Sequence, residues 1–288
     1  MKNKVVIITG ASHGLGFQLA KKFARLGSHL LLCARNIKNL KKKERELRSK
    51  RSKNQKVIIL KADISKKNDV QKIIKTCIKN LKTIDVLINN AGILGPKGEF
   101  DSLNFKEFKK TIDTNFYGSV LMCKEVLPYF KRARKGKIIQ LSGAGAINSM
   151  PMFTAYAASK AAIVRFSETL ADEVKKFNIQ INSVAAGAIN TRMLDEILKA
   201  GPQKVGINFY QKIKKQKESG GIPFQLVTDL IVYLSSNQSD KITGKILSPK
   251  WDEWRVLSKN SKLIMKKDVF TLRRIRGNDR GIKWIDKQ

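Results

Sequence analysis

In "LSGAGAINSMPMFTAYAASK", residues 141–160, a tyrosine and a lysine stand four positions apart, and a serine lies upstream among small apolar residues. On a helix, positions i and i+4 share one face, so the Tyr156 phenol and the Lys160 ammonium would project side by side. A free phenol titrates at about 10, too high for ready proton exchange at neutral pH, and a neighbouring cation favours the phenolate. Such a pair suits general acid–base work, with Ser142 as the nearby hydroxyl at a strand end. The competing reading is a helix on which Tyr156 and Lys160 are merely solvated, and the rest of the chain decides between the two.

A second stretch, "VVIITGASHGLGFQLAKKFARLG" (5–27), reads as strand, glycine turn and helix. Gly10, Gly14 and Gly16 allow the backbone to turn tightly and to approach a pyrophosphate at the positive N-terminus of a helix starting near Leu15. Glycines mark many turns, but glycines after a first strand and before an amphipathic helix are the context of dinucleotide binding. The next strand ends in "LLLCARN" (30–36), with no carboxylate to grip an NAD ribose and with Arg35 able to meet a 2′-phosphate. NADP is therefore expected over NAD.

These groups need a scaffold. Short β-branched runs alternate with amphipathic segments, the pattern of a parallel sheet with helices on both faces. Strands are expected at Val5–Thr9, His29–Ala34, Val57–Lys61, Val86–Asn89, Lys137–Leu141, Gln180–Ala185 and Ile246–Leu247. Helices are expected at Leu15–Leu26, Lys67–Leu81, Phe105–Lys131, Tyr156–Lys176 and Phe224–Ser235, and the basic run Asn36–Lys56 reads as a solvated helix followed by a loop. The expected fold class is α/β, a Rossmann-like doubly wound parallel sheet flanked by helices, in a single domain over residues 1–250. Within it, residues 192–221 carry Gly201-Pro202 and Gly220-Gly221 and read as an inserted, less regular lid. Residues 251–288 leave the alternation and form a basic C-terminal extension.

"TGASHGLG" at Thr9–Gly16, "NNAG" at Asn89–Gly92, "YAASK" at Tyr156–Lys160 and "INSVAAGAINT" at Ile181–Thr191 occur in that order. Over residues 1–248 the chain thereby resembles the classical short-chain dehydrogenase/reductase family. The resemblance implies hydride transfer between a nicotinamide and a carbonyl or secondary alcohol, with Tyr156 as the acid–base group and Lys160 tuning it and holding the nicotinamide ribose. It implies Ser142 on the substrate oxygen and Asn115 completing a proton relay. Cofactor contacts are implied at Gly10, Ser12, His13, Gly14, Leu15, Gly16, Arg35, Asp63, Asn90, Ala91, Gly92, Tyr156, Lys160, Ile189 and Thr191. Of these, Asp63 would meet the adenine and Thr191 the carboxamide.

Three positions depart from the family pattern. The usual serine, thirteen residues before the tyrosine, is Gly143, with Ser142 one place earlier. Ala186-Gly187 stands for the usual Pro-Gly, and "SPKWDEW" (248–254) replaces a glycine-rich ending. Ser142 is expected to serve through a shifted loop, which Gly143 and Gly145 ease; otherwise Tyr156 and a backbone N–H hold the oxygen alone.

With 288 residues and 42% hydrophobic composition the chain can bury a large core. No apolar run approaches the roughly 18 residues of a membrane span, and Val5–Ile8 is too short for a signal-peptide core. Cys33, Cys77 and Cys123 lack metal-site spacing and read as buried, reduced thiols, so a cytoplasmic location without a metal is expected. The net charge of +35 is spread along the chain and so does not argue for a specific nucleic-acid partner. Lysines in the lid read either as solvated surface charge, like those elsewhere in the chain, or as attraction for an anionic substrate such as an acyl-carrier-protein thioester or a nucleotide sugar. A homo-oligomer, dimer or tetramer, is expected, with Trp251 and Trp254, and Trp284 beyond them, as anchors packing on the main domain or a neighbour. The alternative function is an NADP-binding sensor without turnover.

Overall fold

In the computed structural model, β1 (Val5–Thr9) places Val6 and Ile8 in one hydrophobic cluster and Val5 and Ile7 in another. β2 (His29–Ala34) repeats the division, with Leu30 and Leu32 opposite Leu31 and Cys33. Side chains alternate along a strand, so a sheet buried on both faces reads as a continuous apolar run. The structure describes residues 1–48 and 54–282, the side chain of Asn278 excepted.

With β3 (Val57–Lys61), β4 (Val86–Asn89), β5 (Gly136–Leu141), β6 (Ile179–Val184) and β7 (Ile246–Leu247), the strands form one parallel sheet ordered β3-β2-β1-β4-β5-β6-β7. The order reverses between β1 and β4, and the crevice at the carboxyl ends there is where open α/β sheets take ligands. The crossovers are α1 (Gly14–Arg25), α2 (Ile37–Arg48), α3 (Lys67–Leu81), α4 (Phe105–Ile112), α5 (Gly118–Ala133) and α6 (Thr154–Val174). Between β6 and β7 lie α7 (Arg192–Ala200), α8 (Pro202–Val205), α9 (Ile207–Ser219) and α10 (Phe224–Ser235), and α11 (Ser261–Lys266) follows the sheet. One cluster joins α1 and α10 through Leu19, Phe23, Leu230 and Leu234; the other joins α3 and α5 through Ile73, Cys77, Met122 and Phe130.

The structure corrects three expectations. The helix expected over Phe105–Lys131 is interrupted by a π-helical turn at Asp113–Tyr117, which carries Asn115. The segment read as an irregular lid is helical: Leu194, Ile197, Val205 and Ile213 bury against Leu94 and Phe153, so glycines are its joints rather than its character. In the extension, Trp254 is buried, its ring 5.5 Å from that of Tyr233 and its Nε1 donating to the Pro249 carbonyl at 3.3 Å. Trp251, however, is 76% exposed, at the tip of a turn closed by Ser248 N donating to Asp252 Oδ2 at 2.7 Å. Trp284, and residues 49–53 of the basic run, lie outside the described residues.

Beyond α11 the chain returns along the sheet edge. Ile246 N of β7 donates to the Phe270 carbonyl at 2.8 Å, and Lys245 Nζ donates to the Lys267 and Val269 carbonyls at 3.0 Å each. The three cysteines are free and buried, and burial pushes each thiol up to about 12. Among the described residues no helix is long and apolar enough to cross a membrane, and no cluster of His, Cys, Asp and Glu could hold a metal.

Candidate active site

The turn from β1 into α1 rests on the segment after β4. Gly10 has φ +67°, and a Cβ there would come within 2.8 Å of Ala91 Cα; one on Gly16 would come within 2.5 Å of the Gly10 carbonyl oxygen. Only glycine permits so close an approach of backbone to backbone. Thr9 Oγ1 accepts from Asn90 N and Ala91 N, both at 3.0 Å, while Asn90 Nδ2 donates to the Thr9 carbonyl at 2.9 Å. No side chain caps α1, so its leading N–H groups are not taken up by a side chain. Ser12 Oγ lies 2.9 Å from His13 Nδ1. Burial holds the His13 imidazole below its ordinary range, and Arg192 and then Arg35 add to the effect against Glu196.

Arg35 is exposed just beyond β2, with Ala34 buried before it. Asp63 is fixed by Ser65, whose N and Oγ donate to Oδ1 at 3.1 and 2.8 Å. Thr191 stands just before α7, close to the glycine turn, since a Cβ on Gly14 would lie 3.7 Å from its Cγ2. Ile189 pairs with Gly221 and closes the base of the lid. Every residue expected at the cofactor lines one cleft of about 1690 Å³, as does Ser142; Asn115 is not among its lining residues.

Tyr156 and Lys160 lie in the first two turns of α6. Lys160 Nζ is 5.6 Å from the Tyr156 ring centroid and donates to the Leu141 carbonyl at 2.7 Å. Burial pushes the Tyr156 phenol up to about 12 and the Lys160 ammonium down to about 8. The expected lowering of the phenol by its neighbour is therefore not what the protein groups alone produce, because desolvation outweighs it.

Asn115 is held by its side chain on two elements. Its Oδ1 accepts from Ile93 N at 2.8 Å, and its Nδ2 donates to the Ile93 carbonyl and to Ser159 Oγ, both at 2.9 Å. Ser159 Oγ in turn donates to the Tyr156 carbonyl at 2.7 Å. The amide thus fastens the start of α6 to the loop after β4. Ser159 was legible only as a letter inside "YAASK", with no spacing to announce its clamp.

Ser142 and Gly143 face different neighbours. Ser142 Oγ donates to the Lys160 carbonyl at 3.4 Å, whereas a Cβ on Gly143 would stand 3.1 Å from Tyr156 Oη. Adjacent residues of an extended chain point to opposite sides. The place beside the phenol belongs to glycine, and the serine hydroxyl turns to the helix backbone.

The family model described as short chain dehydrogenase matches residues 4–201. The chain belongs to that family. Short-chain dehydrogenases are oxidoreductases that bind NAD(P). Among curated short-chain dehydrogenases, the chain is 33% identical over 252 residues to the 3-oxoacyl-acyl-carrier-protein reductase of Chlamydia muridarum, covering 85% of this chain and 95% of the relative. It is 32% identical over 195 residues to the fatty acyl-CoA reductase of Acinetobacter baylyi, covering 67% of this chain and 65% of that longer protein. In fold it is similar to levodione reductase, with TM-score 0.79, 23% identity and coverage of 86% and 96% of the two chains. Actinorhodin polyketide ketoreductase with NADPH gives TM-score 0.78 at 21% identity, covering 86% and 97%.

Proposed function

We propose that the chain is an NADP(H)-dependent reductase of an apolar carbonyl compound, with Tyr156 as the acid. The observation that carries this reading is the Tyr156 phenol bordering the cleft one helical turn from Lys160. The glycine cradle and the uncapped start of α1 would hold the pyrophosphate, and Arg35, with apolar Ala34 before it, favours a 2′-phosphate. Bound NADPH would supply the hydride to the carbonyl carbon. Tyr156 keeps its proton until an oxyanion develops beside it, then releases it to that oxygen; the Lys160 charge favours the phenolate left behind. With glycine at 143, the substrate oxygen rests on Tyr156 and a backbone N–H rather than on a serine. Ser142, Ser159 and Asn115 position α6.

The inner lid is apolar, formed by Leu94, Phe153, Leu194, Ile197, Val205 and Ile213. It suits an acyl chain better than a nucleotide sugar, and two relatives are named for acyl thioester substrates. NADPH consumption with a panel of 3-oxoacyl thioesters, simple ketones and nucleotide-sugar ketones tests the reading. Turnover of the thioesters is expected, abolished by Tyr156→Phe. A protein that binds NADPH but consumes none with any carbonyl would instead be a sensor.

A further inference from the structure

Two parts of the chain far apart in sequence line the same cleft. One is α9, whose lining residues include Lys212, Lys215 and Ser219, spaced three and four apart, so that they form one stripe of that helix. Its neighbouring stripe, Phe209 and Ile213, turns into the apolar cluster of the lid. The other is the turn after β7, which brings Lys250 and Trp251 to the same cleft.

That turn is built rather than loose. Asp252 closes it through Ser248 N at 2.7 Å, and buried Trp254 ties it to the core through Pro249 and Tyr233. An aromatic ring held outward at 76% exposure, with Lys250 Nζ 4.5 Å from its centroid, offers a flat face and a positive charge together. The charges lining the cleft are unbalanced. Its acidic residues are Asp63, which accepts from Ser65, and Glu196, which pairs with Arg192 at 3.0 Å. By contrast Lys217 of α9, which does not line the cleft, pairs with Asp195 at 2.7 Å. Lys212, Lys215 and Lys250 have no such ion pair among the described residues.

We infer that Lys250, Trp251, Lys212 and Lys215 form an outer subsite for the phosphorylated end of the substrate, the phosphopantetheine arm of an acyl thioester, whose acyl part enters the apolar lid. The cations meet the phosphate, and Trp251 covers the uncharged arm. This assignment rests on the reductase reading, and it gives the C-terminal extension a part in substrate choice.

The test uses the full chain with NADPH and three acetoacetyl thioesters: of coenzyme A, of an acyl carrier protein, and of N-acetylcysteamine, which has the same ketone but no phosphate. Both phosphorylated thioesters should exceed the neutral one in kcat/KM by about tenfold or more, with the difference in KM. Comparing the two phosphorylated thioesters tells which carrier is preferred. Lys250→Glu combined with Lys215→Glu should remove that advantage while leaving the neutral thioester and NADPH affinity unchanged. Trp251→Ala should raise KM for the phosphorylated substrates about fivefold at constant kcat, and Lys241→Glu, outside the cleft, should change nothing.

Equal kcat/KM for all three thioesters overturns the inference, as does a double variant that weakens NADPH instead. If no carbonyl is turned over, the reductase reading has failed. Calorimetry of coenzyme A against the NADPH-loaded protein then still decides: binding weakened about tenfold by the double variant upholds the subsite, and no binding overturns it.

Discussion

Replacing Lys160 by methionine should change how the fold responds to alkali, a property measurable without knowing the substrate. Burial lowers the Lys160 ammonium from 10.5 to about 8. The folded chain therefore holds fewer protons than the unfolded chain between these two values. Charged Lys160 penalises the fold fully below about pH 8, and the penalty fades as pH rises towards 10.5, so this residue makes stability increase with pH across that window. At about 1.36 kcal/mol per pH unit, the interval sets a ceiling of about 3 kcal/mol. Urea unfolding followed by circular dichroism at about pH 7 and about pH 10, on wild type and Lys160→Met, isolates the contribution because all other titrations cancel. Wild type should gain on the variant by about 2–3 kcal/mol between the two conditions. The bond to the Leu141 carbonyl is absent from the variant at both pH values, so it offsets the curves without making them diverge. Parallel pH profiles would refute the argument, showing that Lys160 is solvated and titrates as a free lysine.

Ser142→Ala should keep kcat within about threefold and cost about 0.5–1.5 kcal/mol of stability, because its hydroxyl bonds the Lys160 carbonyl; a loss of about 10²-fold in kcat would return the serine to the substrate oxygen. NADPH should bind at least about tenfold tighter than NADH by calorimetry, and Ala34→Asp should reverse the order by repelling the 2′-phosphate. Equal affinities for the two in wild type would remove Arg35 from the account. Trp254→Ala should destabilise by about 3–5 kcal/mol in denaturant melts, since the ring is buried against Tyr233; a change under about 1 kcal/mol would mean that the extension is not held by it.

The sheet was readable because each strand, buried on both faces, is an apolar run, and the glycine turn was readable because close backbone approach excludes every other residue. What the sequence concealed was the direction of side chains and the company they keep. "LSGAG" shows a serine one place out of register, and only the fold shows that this one step turns its hydroxyl away from Tyr156. "DTNFY" carries no sign of a π-helical turn, nor of Ile93 and Ser159, the distant partners that Asn115 meets from it. The lid looked irregular from its glycines, yet its apolar residues find partners in Leu94 and Phe153 from other parts of the chain. Trp251 stood out only as an anchor for packing, and nothing placed it or Lys250 at the cleft, since that depends on Trp254 reaching the core.

The returning segment beside β7 bears on how the sheet is closed to further strands. A sheet can recruit strands from another molecule only where an outer strand keeps its N–H and C=O groups free. At β7 the chain's own Phe270 carbonyl takes the Ile246 N–H, so the ladder there is terminated from within. The opposite margin is β3, whose Val57–Leu60 are only partly buried between exposed Lys56 before the strand and exposed Lys61 at its end. A second β3 approaching antiparallel would bring these ammonium groups face to face, and like charges opposed across strands disfavour pairing. Runaway strand addition is thus blocked by backbone at one margin and discouraged by charge at the other, and a truncation before Phe270 would leave the charge alone to do it.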